Sequence, residues 1–166
     1  MKLRAFQKED SAVICSWVKD EKSVYQWSAD RIAQFPLDDD ALNRHYELAH
    51  SRERIIPLTA VDESGHVAGH LFIRYPNRED ESTVRFGCII VDPALRGQGA
   101  GKALVNLAVD YARTVLGASV VTLAVFDNNP GARHCYEAVG FRAARKVTYK
   151  MPIGEWECTE MELTAD

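Results

Sequence analysis

The chain has 166 residues, of which 46% are hydrophobic and 27% are charged, with a net charge of -4. This length and composition predict a single globular domain spanning residues 1–166. The charges are spread along the chain and no run approaches the roughly 18 apolar residues of a membrane span, so neither a nucleic-acid surface nor a transmembrane helix is expected. The first residues, MKLRAFQKED, lack the apolar core of a signal peptide. We therefore expect a soluble, cytoplasmic protein with no nucleic-acid or membrane partner.

The first half of the chain alternates extended and helical patterns. A short strand over residues 2–6 is followed by Asp10 and Ser11, which can cap a first helix. A second helix is predicted over residues 40–50. The aromatic segment between them, EKSVYQWSADRIAQFPLDDD, has no clear period and is interpreted as a loop or a broken helix. Two apolar runs then flank the turn residues 62–65, which predicts a β-hairpin.

A strand, helix, strand unit is predicted in the second half. The runs TVRFGCIIV at 83–91 and VVTLAVF at 120–126 are almost continuously apolar, which is typical of central strands covered on both faces. Apolar residues between them recur every three or four positions, which predicts a connecting helix and makes the two strands parallel. A short helix follows from Pro130 to Val139, with Asn129 as its cap and Gly140 after its last turn.

The tail of the chain contains two further strands, FRAARKVTY and EWECTEMEL. In the second of these, the apolar residues Trp156 and Cys158 stand at even positions, whereas Met161 and Leu163 stand at odd ones. Since side chains of a strand alternate between two faces, the two pairs would face opposite sides of a regular strand. This change predicts a β-bulge near Thr159. The whole order of elements indicates a mixed α/β sheet.

The cysteines are widely separated in the sequence. No pair has the CxxC spacing that brings two thiolates to one metal ion. We therefore predict reduced thiols within the core, and no metal site, for Cys15, Cys88, Cys135 and Cys158.

Three glycines, Gly97, Gly99 and Gly101, lie between the first apolar strand of that unit and the helix that follows it. Glycines at such a junction leave backbone N–H groups uncovered at the positive end of a helix, where a phosphate can approach closely. A Walker loop would need glycine at position 96 and Ser or Thr at 103, and GxGxxG would need a last glycine at Lys102 or Leu104. The Walker loop and the GxGxxG dinucleotide loop are therefore excluded. The alternative to phosphate binding is a tight turn that binds no ligand.

Two motifs together resemble one known family. Arg96-x-x-Gly99-x-Gly101 follows an apolar strand, and Asn129-x-x-Ala132-x-x-x-Tyr136-Glu137-x-x-Gly140-Phe141 comes thirty residues later. In residue types and order, residues 83–141 resemble the GNAT superfamily of acetyl-CoA-dependent N-acetyltransferases. The resemblance implies an α/β (mixed α+β) fold, the GNAT fold. That fold has a mostly antiparallel, twisted sheet of about seven strands, one parallel pair splayed at the cofactor site, and about four flanking helices.

The resemblance also implies an activity and its co-substrate. Family members transfer an acetyl group from acetyl-CoA to a primary amine of a small molecule, an antibiotic, a protein N-terminus or a lysine. Their arginine-glycine loop holds the pyrophosphate of coenzyme A, and the preceding strand pairs with the pantetheine arm. The cofactor-binding residues that this implies here are Ile89, Val91, Arg96, Gly97, Gln98, Gly99, Ala100, Gly101, Lys102, Asn129 and Tyr136.

Tyr136 is the catalytic residue that the resemblance implies. It matches the family tyrosine that protonates the departing thiolate, and a phenol with a pKa near 10 stays protonated at neutral pH. Because Ala132, Tyr136 and Val139 share one helical face, simple packing is the alternative interpretation.

The general base has no assigned residue. Where many family members carry a glutamate, this chain has Arg85, and arginine stays protonated. The amine proton leaves through water, through a carboxylate elsewhere such as Glu81, through a histidine such as His70 or His134, or not at all, and a lone histidine is more often structural. Arg85 is interpreted either as a clamp for a carboxylate or phosphate of the acceptor, or as the partner of a neighbouring acid, such as those in the segment REDES.

Several functional questions stay open at the level of sequence. Trp17, Tyr25, Trp27 and Phe35 crowd the first helices, either as the wall of an acceptor pocket or as core. A non-catalytic acyl-CoA-binding sensor of the same fold is the alternative function, because the usual base is missing. The third candidate is an interaction protein whose glycine loop is only a turn. The late strands either supply the edge of a homodimer or simply complete the sheet, and the sequence does not decide between the two.

Overall fold

Seven strands form one sheet with helices on both of its faces. The computed structural model describes residues 1–32 and 34–165. The strands lie in the order β1-β2-β3-β4-β5-β7-β6. The elements are β1 Lys2–Ala5, α1 Asp10–Ser16, α2 Glu21–Ser28, α3 Ala41–His50, β2 Ile55–Val61, β3 Val67–Arg74, β4 Thr83–Val91, a 3-10 turn Pro93–Leu95, α4 Ala100–Thr114, β5 Val120–Phe126, α5 Pro130–Val139, β6 Arg142–Met151 and β7 Gly154–Thr164.

The predicted topology is confirmed. All neighbouring strands are antiparallel except β4 and β5, which are parallel and joined by α4. The predicted hairpin is β2–β3, and its turn is held by the Asp62 carboxylate, which accepts from the N–H groups of Ser64 at 2.8 Å and His66 at 2.9 Å. None of the helices in the described residues is long and apolar enough to cross a membrane.

One helix more than predicted occurs in the described residues, because Glu21–Ser28 of the aromatic segment folds as α2. Asp20 caps it, since its carboxylate accepts from the backbone N–H and the hydroxyl of Ser23, each at 2.9 Å. Val24 and Tyr25 form its buried face. Two turns are too few for the helical period to stand out in a sequence.

The helices divide the core between two faces of the sheet. On the α4–α5 face, Leu104 of α4 and Tyr136 of α5 pack against Leu123 of β5. On the α1–α3 face, residues of α1 and α3 pack against Phe72 of β3 and Cys88 of β4. All four cysteines are free thiols, and only Cys135 is not fully buried.

β7 contributes to both faces, which explains the parity change in its sequence. Cys158 packs with the aromatic cluster on the α1–α3 face, whereas Met161 belongs to the α4–α5 core. β7 stays in continuous register with β5, so the predicted bulge at Thr159 is wrong. The shift in register lies in the neighbouring strand β6, between Ala143 and Arg145.

Gly87 of β4 lies beneath the ring of Phe72 on β3. A Cβ at position 87 would come within 2.2 Å of Phe72 Cζ, and Phe72 is only 1% exposed, so its ring cannot swing into solvent. We expect Gly87→Ala to lower the free energy of unfolding by about 3 kcal/mol, measured by urea denaturation. The control is Gly131→Ala in α5, where a Cβ meets no atom within 4 Å; it should keep or raise stability. Equal stability of Gly87→Ala and the wild type would contradict this packing.

Candidate active site

β4 and β5 pair only over their first residues. The parallel ladder joins Thr83–Arg85 to Val120–Thr122, although β4 continues to Val91 and β5 to Phe126. Beyond the ladder the two strands separate, so the backbone groups on their facing edges have no strand partner. An opening of this kind accepts an extended ligand in the manner of an additional strand.

A cavity of about 670 Å³ lies at this opening. Trp17 and Trp27 line its α1–α3 side, and the glycine loop, α4 and α5 line the rest. Ile89, Ile90 and Val91 of β4 also line it and are only half buried. The prediction that β4 is covered on both faces is therefore wrong at its C-terminal end, because its apolar side chains there form the cavity wall.

A bulge in β4 shapes the opening. The register between β3 and β4 shifts between His70 and Phe72, and Cys88 has a φ of 50°, a left-handed value that is uncommon outside glycine. The indole Nε1 of Trp27 donates a hydrogen bond of 2.8 Å to the Cys88 carbonyl, which ties α2 to the bulge. Because a bulge interrupts the ladder, it leaves backbone groups of β4 unpaired beside the cavity.

The three glycines of the loop meet different requirements. Gly97 and Gly99 have left-handed φ values of 74° and 82°, and a Cβ at either position would meet no atom within 4 Å. The space above both residues is therefore open. Gly99 also precedes the first residue of α4, whose free N–H groups carry the positive end of the helix dipole. Gly101 instead packs against α5, where a Cβ would lie 3.3 Å from the sulfur of Cys135.

The loop end of the cavity is positively charged. Arg96 and Lys102 line it, and no carboxylate occurs among its lining residues in the described part of the chain. Asn129 caps α5 as predicted, since its side-chain oxygen accepts from the Ala132 N–H at 3.3 Å. The positive side chains, the helix dipole and the open glycines together favour a ligand that carries phosphate.

Most of the predicted cofactor-binding residues meet in this cavity. Gln98 and Ala100 do not line it, and the Gln98 amide instead donates to the Ala94 carbonyl at 2.9 Å. Sequence reasoning missed the polar contribution of α2, Ser23 and Gln26, because isolated polar residues on a short helix form no motif. The predicted residues that line the cavity are Ile89, Val91, Arg96, Gly97, Gly99, Gly101, Lys102, Asn129 and Tyr136.

Tyr136 of α5 lines the cavity and is 7% exposed. Its ring packs edge-on against Phe141 with the centroids 6.3 Å apart, so the ring is also part of the core. Burial raises the pKa of the Tyr136 phenol. The hydroxyl is therefore protonated at neutral pH and can donate a proton or a hydrogen bond.

The three candidate proton acceptors lie in different places. His70 is fully buried, 2.6 Å from the Tyr46 hydroxyl, and does not line the cavity. Glu81 pairs with Arg54 at the surface, 2.5 Å away, and does not line the cavity either. His134 is exposed and does line it. Of these three, only His134 has access to a ligand in the cavity.

Arg85 does not line this cavity. Its guanidinium lies 3.3 Å from Oε1 of Glu160, an acid of β7 rather than of the segment REDES. Arg85 and Glu160 line a second cavity of about 250 Å³, together with Thr122 and Arg145. Hydrogen bonding to Arg145, more than the other contacts, lowers the pKa of Glu160 and keeps it a carboxylate.

The aromatic residues of the first helices divide between wall and core. Trp17 and Trp27 line the large cavity. Tyr25 is buried in a cluster with Phe126, and Phe35 is 44% exposed and does not line the cavity. The interpretation as an acceptor wall therefore stays a prediction for the two tryptophans, and Trp17 also belongs to the core on the α1–α3 face.

The buried His70 makes the stability of the fold depend on pH. Burial lowers its pKa from the ordinary 6.5 to about 3, although the Asp10 carboxylate opposes the shift. Protonation therefore favours the unfolded chain, so this contribution to stability is complete above pH 6.5 and falls as the pH drops toward 3. Between pH 8 and pH 5 the loss is about 2 kcal/mol. We expect His70→Gln, which does not titrate, to lose correspondingly less stability over this range in urea denaturation.

Tyr46→Phe is the control for the His70 prediction. It removes the hydroxyl partner of His70 but keeps the imidazole buried, so it should retain the pH dependence of the wild type. If His70→Gln also retained that dependence, another group would be responsible for it.

A comparison with protein families identifies the fold and its enzyme class. Residues 14–141 match the model of the acetyltransferase (GNAT) family. The chain belongs to the acetyltransferase (GNAT) family. The resemblance drawn from the two motifs is thereby confirmed, as are the GNAT fold and the assignment to the N-acetyltransferases.

Curated relatives carry acetyltransferase names. Spermidine N(1)-acetyltransferase of Vibrio cholerae is 27% identical over 139 residues, which are 84% of this chain and 77% of that protein. The mycothiol acetyltransferase of Salinispora arenicola is 34% identical over 56% of this chain and 31% of its own length. An uncharacterised N-acetyltransferase of Methanocaldococcus jannaschii is 40% identical over 39% of this chain and 28% of its own length. The match thus spans less than a third of the last two proteins.

Solved structures show the same fold. Spermidine N-acetyltransferase of Vibrio cholerae in complex with CoA and spermine superposes with a TM-score of 0.79 at 21% identity, over 98% of this chain and 94% of that one. The manganese complex of the spermidine/spermine N-acetyltransferase of that organism has a TM-score of 0.73 at 21% identity, over 98% and 91%. Residues 1–32 and 34–165 of the present chain contain no group of three side chains placed to hold a metal ion.

Proposed function

We propose that this protein transfers the acetyl group of acetyl-CoA to a primary amine of a small molecule, or of a protein or peptide, by direct attack of the amine on the thioester. One observation carries the proposal. A single cavity joins the glycine loop at the start of α4, the separated strands β4 and β5, and the hydroxyl-bearing Tyr136. These are a phosphate site, an opening for an extended chain and a proton donor.

The residues of the cavity suit acetyl-CoA from one end to the other. Arg96 and Lys102, with the first N–H groups of α4, would hold the pyrophosphate, and Gly97 and Gly99 leave room for it. The unpaired edge of β4 over residues 89–91 would bond the amides of the pantetheine arm. When bound, acetyl-CoA supplies the acetyl group as an activated thioester.

The transfer forms a C–N bond and breaks the C–S bond. The nitrogen loses one proton and the sulfur gains one, so the site needs a proton donor for the sulfur. Tyr136 would give its phenolic proton to the sulfur, because burial keeps that phenol protonated. Unpaired N–H groups at the β4 bulge beside Cys88 would stabilise negative charge on the carbonyl oxygen. His134 or water would accept the proton of the amine.

The relatives support an amine as the acceptor. The Vibrio cholerae enzyme is named for spermidine, and its crystal structure was obtained with CoA and spermine. The missing base glutamate remains the argument for the non-catalytic sensor, and the relatives, which carry transferase names, give it no support. A single-domain organisation, a cytoplasmic location and a homodimer, for which the edge strand β6 is available, stay predictions.

The test of the proposed function measures release of free thiol from acetyl-CoA. The acceptors are polyamines, amino acids, aminoglycosides and peptides with free N-termini, and calorimetry measures binding of acetyl-CoA in parallel. We expect submillimolar binding of acetyl-CoA and release that depends on at least one class of amine. Binding without release from any acceptor would overturn the transferase and favour the sensor.

A further inference from the structure

Two arginines face each other on the α1–α3 side of the sheet. Arg74 of β3 and Arg85 of β4 are directly opposed in the register of the ladder, and their side chains are only 25% and 18% exposed. Like charges directly opposed across two strands repel each other. Burial, together with the positive charges of Arg31 and Arg85, lowers the pKa of Arg74. The two positive charges therefore need the neighbouring carboxylates, or a further anion, to offset them.

Neither guanidinium is saturated by the residues that the structure describes. Arg74 makes no hydrogen bond with them, and its Nε lies 3.9 Å from Oε2 of Glu53. Glu53 is already bound by both terminal nitrogens of Arg31, at 3.1 and 3.0 Å. Arg85 makes one hydrogen bond, of 3.3 Å, to Glu160. Since a guanidinium has five N–H donors, most donors of the pair are available to a ligand.

The charges around the pair leave a positive excess. With Arg31 and Arg145, four guanidinium groups share the carboxylates of Glu53 and Glu160. The excess is two positive charges, or one if the exposed Glu162 at the rim of the smaller cavity is included. The chain as a whole has a net charge of -4, so the charge of this region has the opposite sign to the net charge of the protein.

Arg85 lies close to the large cavity along β4. Arg85 is the last residue of β4 that pairs with β5, and Gly87, two residues further on, lines the large cavity. Two residues of a strand span about 7 Å. Arg85 also lines the smaller cavity of about 250 Å³, whereas Arg74 lines neither cavity and has 25% of its side chain exposed. A group that extends about 7 Å along β4 from the large cavity would therefore reach Arg85, which is opposed to Arg74 across the ladder.

We propose that the amine acceptor carries a carboxylate or phosphate group, and that Arg74 and Arg85 bind this oxyanion. Planar guanidinium groups match both oxyanions and can bind them through two parallel hydrogen bonds. The proposal rests on the proposed function and narrows its acceptor to amines that bear an anion. A polycation such as spermidine would instead add charge to a region that already has a positive excess.

The test uses acceptors that differ only in their anion. An amino acid is compared with its amide, phosphoethanolamine with ethanolamine, and spermidine is a further arm. We expect kcat/KM of the wild type to be at least tenfold higher for the anionic member of one pair. That pair also distinguishes carboxylate from phosphate. Arg74→Gln and Arg85→Gln should each raise KM for that acceptor at least tenfold, with kcat and the dissociation constant of acetyl-CoA little changed.

Arg54→Gln is the matched control. It removes one positive charge from a surface pair with Glu81 and should leave every KM unchanged. The proposal would be overturned if the enzyme used spermidine, or the neutral amines, as efficiently as the anionic acceptors. An unchanged KM for the anionic acceptor in both arginine variants would overturn it too.

A second measurement does not depend on turnover. Inorganic phosphate and acetate are titrated into the wild type and the two variants with CoA in excess, so that the glycine loop is occupied. The wild type should bind one of these anions, and each variant should lose that binding. If the wild type binds neither anion, or the variants bind equally well, the anion site is overturned. Failure of acetyl transfer to all acceptors would overturn the proposed function, while these titrations would still decide on the arginine pair.

Discussion

Tyr136→Phe is expected to lower kcat between about a hundredfold and ten-thousandfold, because the departing thiolate loses its proton donor. The hydroxyl makes no hydrogen bond with the described residues, and the phenyl ring can keep its edge-on contact with Phe141. The fold and the affinity for acetyl-CoA should therefore change little. Steady-state thiol release measures kcat, and calorimetry measures the dissociation constant of acetyl-CoA.

Tyr75→Phe is the matched control for this prediction. Tyr75 is buried to a similar degree, 9% exposed against 7% for Tyr136, but it does not line the cavity. It should retain full turnover. If Tyr136→Phe folded normally and also kept full turnover, water would have to protonate the sulfur, and Tyr136 would be a core residue only.

Gly99→Asp is expected to weaken the binding of acetyl-CoA at least a hundredfold, or by about 2.7 kcal/mol. The new side chain would extend into open space above the loop, where a Cβ meets no atom within 4 Å. Its carboxylate would occupy N–H groups at the start of α4 and repel a phosphate from the same place. The same capping hydrogen bonds offset part of the strain of a left-handed backbone, so stability should fall by only about 1 kcal/mol. Calorimetry measures the affinity, and urea denaturation measures the stability.

Two variants separate charge from backbone strain in this prediction. Gly99→Ala introduces strain without charge and should weaken binding by less than about tenfold, or 1.4 kcal/mol. Gly65→Asp introduces the same residue in the β2–β3 turn, where φ is 87° and a Cβ again meets no atom within 4 Å. It should leave the affinity unchanged. If Gly99→Asp bound acetyl-CoA as tightly as the wild type, the phosphate groups could not lie at the start of α4.

Local motifs account for the parts of the site that could be predicted from the sequence. The glycines between β4 and α4 depend on the backbone angles of contiguous residues, and Asn129 caps its own helix. Tyr136 follows Asn129 at a spacing that one helix determines. Such features require no knowledge of distant contacts, which is why they could be placed before the fold was known.

Contacts between distant segments account for the parts that were missed. The bond from Trp27 to the Cys88 carbonyl joins residues 61 apart and depends on the bulge in β4. The acid paired with Arg85 is Glu160, 75 residues away, and not one of the nearby acids in REDES. The parity of β7 was interpreted as a bulge because a sequence does not show that one strand passes from one core to another.

The sequence by itself determined the family and the order of the strands and of every helix except α2, because these follow from hydrophobic periodicity and from short motifs. Only the tertiary structure decided where β4 is open, since the separation of β4 from β5 is a property of two strands and not of either alone. The same holds for Arg74 and Arg85, whose opposition depends on the register between β3 and β4. Register depends on packing of the whole sheet, so the opposition of the two arginines is decided at that level.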